Sequence, residues 1–195
     1  MEYWVFRPFM SRGAGLIDAY PKRSPAGWKF DEGVSLAAKY PKNATVKFSA
    51  NFRDARELRD FQPNTLNAMI ASPKARDLVA ALDIGGIEVL PVALQDHTGK
   101  VVGADYAFLN PLGSQDAIDM ERSVVRMDPL DEGQISRVKN LVLATSRIDP
   151  EAKLFRCTTF LSVFLVRDDV KQAFEKAGLT GTRFFPAEGW DGLDI

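Results

Sequence analysis

Ile87-Glu88-Val89-Leu90-Pro91-Val92-Ala93-Leu94-Gln95, then Asp96-His97-Thr98-Gly99, then the run from Lys100 to Asn110, decides the fold. Two apolar runs flank a four-residue loop whose glycine can take the positive φ needed to re-enter a ladder. The pattern is a hairpin. Pro91 has no N–H to give, so the first strand is an edge strand or carries a bulge at that point. On the second strand Val102, Ala104, Tyr106 and Phe108 share one face, and Asp105 lies opposite.

Upstream of the hairpin lies the clearest helix signal. Ser72 can cap a first turn, and Pro73 sits where its missing N–H costs nothing. Ala75, Leu78, Val79 and Leu82 recur at helical spacing before Gly85-Gly86 stops the run. Further strand candidates are Tyr3 to Phe6, Thr45 to Phe48, Thr65 to Ala71, Ala117 to Met127, Ile135 to Ala144, Lys153 to Phe160 and Thr182 to Phe185. Asn51 to Asp60, with charges alternating in sign, suits a solvated turn or loop. A second helix begins near Asp168, buries Val170, Ala173, Phe174 and Ala177, and ends at Gly178. Trp28 and Phe30, in a glycine- and proline-rich stretch, are expected to peg that loop to the core.

Consecutive strands without regular βαβ alternation predict a single α+β domain, with a largely antiparallel sheet and a few packed helices. Residues 1–60 form its loop-rich N-terminal part, 61–186 its core, and 187–195 an acidic tail.

The chain has 195 residues, enough to bury roughly 70% of its unfolded surface. Twenty-five Lys and Arg offset 26 Asp and Glu, leaving a net charge of −1 and no basic stripe for phosphates. Direct nucleic-acid binding is therefore not expected. No apolar run approaches the length a membrane helix needs, and the first residues lack a leader pattern. The single cysteine excludes an intrachain disulfide framework and suits a reducing compartment, so a cytoplasmic location is expected.

Chemistry is sparse. The one histidine, His97, falls on the predicted hairpin tip, where a solvated loop residue is the expectation. Cys157 lies in a strand candidate, and Arg156 beside it points to the opposite face, so a buried structural thiol is expected. Gly13-Ala14-Gly15 and Gly85-Gly86 lack the further glycine and lysine of a phosphate cradle. The carboxylates Asp116, Asp119 and Glu121 leave two readings open. On a strand, Asp119, Glu121 and Ser123 would align and could hold a divalent cation for hydrolysis; they could also be the wet side of a half-exposed sheet. No cofactor is implied.

The order of several short segments carries a resemblance. Asp60-Phe61, Ile70-Ala71-Ser72, Val89-Leu90-Pro91-Val92 and Asp105-Tyr106-Ala107-Phe108-Leu109-Asn110-Pro111-Leu112 lead the series. Ala117-Ile118-Asp119 with Glu121 and Ser123, Leu154-Phe155-Arg156, and Ala177-Gly178-Leu179-Thr180-Gly181-Thr182-Arg183-Phe184-Phe185-Pro186 complete it. Over residues 60–186 the chain resembles immunity-protein family eleven of bacterial polymorphic toxin systems; the first sixty residues match poorly. The resemblance implies a cytoplasmic antidote that binds a cognate toxin, often a nuclease, with neither catalysis nor a cofactor. A basic nuclease would meet acidic groups, which makes Asp119, Glu121, Asp128, Asp131 and Glu132 the expected contacts. Trp190, in the tail with Asp191 and Asp194, is either an exposed anchor or a side chain folded back on the core. The competing readings are the metal-assisted hydrolase and an adaptor or chaperone that delivers an active toxin.

Overall fold

In the computed structural model, which describes residues 1–193, the hairpin pairs β4 (Ile87–Gln95) antiparallel to β5 (Val101–Pro111). Leu90 stands opposite Phe108 and Val92 opposite Tyr106. β2 (Thr45–Lys47) adds parallel to β4, and β3 (Met69–Ala71) adds antiparallel to β5, giving a sheet of order β2-β4-β5-β3. Although β4 is an inner strand, β2 pairs only with Ala93 to Gln95. Pro91 sits before that contact begins, so its missing N–H faces no neighbour: the strand is locally an edge. Asp194 and Ile195, which belong to the expected acidic tail, lie outside the described residues.

A second sheet runs β10 (Thr182–Pro186), β1 (Tyr3–Pro8), β9 (Phe160–Arg167), β8 (Leu154–Cys157), antiparallel throughout. A ribbon of β6 (Val124–Met127) and β7 (Ile135–Asn140) completes the strands. The α+β class and the largely antiparallel pairing match the expectation. β9 was not anticipated. Its centre, Val163-Phe164-Leu165-Val166, is buried on both faces, so it shows a continuous apolar run with no alternation to reveal it. The expected strand over residues 117–127 shortens to β6, and residues 119–123 form a turn.

Helix α1 (Pro73–Ala81) begins as expected, with Ser72 Oγ accepting the Ala75 N–H at 3.2 Å. Helix α2 (Asp168–Lys176) buries Val170 and Phe174. Alternation along β1 and β9 splits the apolar groups into layers. Phe6, Phe164 and Val166 join the two helices, Met69, Ala71 and Leu109 in one core. Val5, Val163 and Leu165 face a second core with Ile118, Val138, Phe155 and Trp190. The third core lies on the far face of the hairpin sheet, where Ile17, Phe30 and Leu36 cover Val46, Leu90, Val92, Tyr106 and Phe108. Residues 1–60 are thus part of the fold, β1 in one sheet and a loop-rich wrap on the other. Phe30 is a peg, as expected. Trp28 is not: it is 58% exposed, with the Lys29 ammonium 3.9 Å over its ring.

Arg156 ties the layers together. Its side chain is 2% exposed and lies 4.1 Å over the Phe164 ring. It donates to the Phe30 and Leu161 carbonyls and pairs with Asp31 at 3.4 Å. Burial lifts the Asp31 carboxyl to about 6 despite the guanidinium beside it, and burial brings Arg156 down to about 10. Desolvation outweighs mutual attraction for both partners. The folded state therefore holds the Asp31 proton more tightly than the unfolded chain, whose carboxyl titrates near 4. That contribution to stability is complete below about pH 4 and is lost as pH rises towards 6. Urea denaturation of Asp31→Asn is expected to lack this slope; a slope equal to the wild type would assign it to another group.

Candidate functional site

The expected carboxylate constellation does not assemble. Asp116 turns to Arg147, at 3.1 Å. Asp119 accepts the N–H groups of Glu121 and Arg122, both at 3.1 Å, and so closes its own turn. Glu121 projects from that turn into solvent instead of aligning with Asp119 on a strand. Among the described residues, no three His, Cys, Asp or Glu side chains form a cluster that could hold a metal ion. The hydrolase reading loses its geometry.

As a contact surface, the acidic set is split. Asp128, Asp131 and Glu132 occupy the tip of the β6–β7 ribbon, while Asp119 and Glu121 stand at its base. Asp128 and Asp131 accept the Leu130 and Gly133 N–H groups at 2.8 and 3.1 Å, which leaves Glu121 and Glu132 as the members that hold no turn. Arg122, Arg126, Arg137 and Lys139 are exposed on the same ribbon, so it is mixed in charge. Leu130, 96% exposed, crowns its tip. Trp190 takes the folded-back alternative: it is 5% exposed, packs against Phe160 and lies under the Arg7 guanidinium at 5.5 Å. Trp190 is therefore no exposed anchor for a partner.

His97 departs from a free loop tip. The turn that carries it is locked by Asp96, whose carboxylate accepts the Thr98 hydroxyl and the N–H groups of Thr98, Gly99 and Lys100, drawing its titration down to about 2. The His97 ring is half-buried and meets Arg56, Nε2 to Nη2 3.3 Å. It lines a cleft of about 610 Å³ between the outer side of β2 and residues 18–22. The cleft joins side chains from three distant segments, and nothing local in the sequence signals it.

Cys157 is wholly buried, and burial pushes its thiol up to about 12. A protonated thiol without access is inert. No helix among the described residues is long and apolar enough to cross a membrane.

These features, polar turns and a charged cleft on a packed scaffold, accompany a match to a family model across residues 8–189. The class it defines is that of immunity proteins. The chain belongs to the Imm11 immunity protein family. The match begins far ahead of residue 60, so the N-terminal wrap belongs to the family's unit as well. No curated protein matches the chain.

Cys157 is expected to resist iodoacetamide in the native protein and to react fully in denaturant, scored by intact mass. Rapid native labelling would show that the strand pair β8–β9 opens locally.

Proposed function

We propose that this chain is the cytoplasmic antidote of a bacterial polymorphic toxin system, and that it silences a cognate toxin by binding it, without catalysis. The observation that carries the reading is the Imm11 match over nearly the whole chain. The packed thiol and the dispersed carboxylates fit a protein that contributes surface and shape rather than reacting groups. An inhibitor needs a rigid face of about 800 Å² per partner and a few well-seated anchors, which two sheets with three cores can present.

For a nuclease toxin, which is basic, the β6–β7 ribbon is the proposed contact. Glu121 and Glu132 are the free carboxylates there, with Asp119, Asp128 and Asp131 shaping the turns that present them. Because four basic side chains share the ribbon, its charges select a register more than they supply a net attraction.

Cells expressing the toxin encoded beside this gene are expected to survive when this chain is co-expressed, and the purified pair to co-elute with the toxin inactive. Survival without complex formation would overturn the binding mechanism, and a complex that stays toxic would make the chain an adaptor. Glu121→Lys with Glu132→Lys should raise the dissociation constant about tenfold at unchanged thermal stability. An unchanged constant would remove the ribbon from the interface.

A further inference from the structure

β2 ends its sheet; its inner edge pairs with β4, and its outer edge is covered only at its far end, beside Phe48 and Ser49. Ala93 N–H donates to the Ala44 carbonyl at 2.9 Å, and Phe48 N–H donates to Gln95 O at 2.8 Å. In a parallel ladder the groups facing a neighbour alternate along the strand. Ala44, Val46 and Phe48 therefore serve β4, and Thr45 and Lys47 direct their N–H and C=O groups the other way; the Lys47 carbonyl faces the bridged 16–18 segment, and both Thr45 groups and the Lys47 N–H are left towards the cleft.

The chain itself comes close to covering that edge and then departs. Ser49 N–H donates to Leu16 O at 2.7 Å, and Ile17 bridges antiparallel to Phe48. Ile17 then donates to Pro63 O and accepts from Thr65 N–H, both at 3.0 Å. Tyr20 is held away by its hydroxyl on Leu66 O at 3.0 Å and by stacking on Phe30 at 4.3 Å. The result is an opening of about 610 Å³ beside Thr45 and Lys47.

The rim is cationic. Lys22, Lys47 and His97 line the cleft, and Arg56 stands against His97. An adjoining hollow that shares Asn51 adds Arg12 and Arg53. Asp18 and Asp54 are the acidic side chains lining the two hollows, so four lining Lys and Arg oppose two carboxylates.

We propose that this cleft receives an acidic, extended segment of the toxin, which adds to the outer edge of β2 as a further strand. The inference rests on the antidote reading and names a second contact, independent of the ribbon. A peptide fits better than a nucleic acid because the edge offers donors and acceptors in alternation. A peptide strand matches both, whereas phosphate oxygens only accept. The side chains of that strand's charged face would meet Lys22 and Lys47.

The test uses the full chain and the fluorescein-labelled peptide acetyl-(Glu-Val)₄-amide, with acetyl-(Lys-Val)₄-amide, inorganic phosphate and a short oligothymidylate as the other arms. The acidic peptide is expected to bind and the basic one not to. Lys22→Glu with Lys47→Glu should weaken binding at least about tenfold with the melting temperature unchanged. Thr45→Pro, which removes an outward N–H and keeps every charge, should weaken it as well, and peptide binding should slow amide exchange at Thr45 and Lys47. The proposal is overturned if the acidic peptide does not bind, if both variants bind as the wild type does, or if phosphate or the oligonucleotide binds in the peptide's place. Such a failure leaves the antidote reading intact, because that reading stands on protection of toxin-expressing cells by the wild-type chain. Loss of that protection leaves the peptide result intact.

Discussion

Arg156 leaves β8 on the face that packs against the helices, and with its side chain almost wholly out of water the protein itself must answer its charge. It does so with groups from three places: the Phe164 ring on β9, the Leu161 carbonyl at the start of that strand, and Phe30 with Asp31 in the N-terminal wrap. The wrap cannot peel away without stranding the guanidinium, which would cost several kcal/mol. That requirement ties the wrap at Phe30 and Asp31 to the sheet that carries Arg156. It also holds Phe30 over Phe108 and gives Tyr20 its stacking partner. The cleft wall therefore depends on a cation that lies in another layer.

A second tie acts beside it. Gln62, fully buried, donates its side-chain amide to the Gly15 carbonyl and accepts the Arg59 N–H at 2.9 Å. With Ile17 spent on Pro63 and Thr65, the wrap follows the 57–65 segment instead of continuing along β2. An antidote gains from such pre-organisation, since ordering a loop on binding subtracts from affinity.

What the sequence made legible was local. The β4–β5 hairpin, the capped start of α1, the end of α2 at Gly178 and the buried Cys157 all followed from signals within a few residues. Misreadings arose where a local pattern had two physical outcomes. Asp119, Glu121 and Ser123 alternate as a strand would, but an aspartate that accepts N–H groups two and three residues on closes a turn. β9 hid because burial on both faces erases alternation. His97, Arg156 and the cleft were out of reach for a different cause: each depends on partners some forty or more residues away, such as Arg56 for His97 and Phe30 for Arg156. Trp190 was ambiguous by nature, since an aromatic in a short tail either anchors a partner or packs at home, and Phe160 and Arg7 decide the matter.

Wrap and sheets together form one rigid, pre-formed scaffold. Native-state hydrogen exchange of the free chain, followed in low denaturant, tests it most directly. Amides at Ile17, Phe48 and Gln62 should share the opening free energy of Phe164 and Leu165. Exchange of the first three through a separate opening, several kcal/mol easier and insensitive to Arg156, would contradict it.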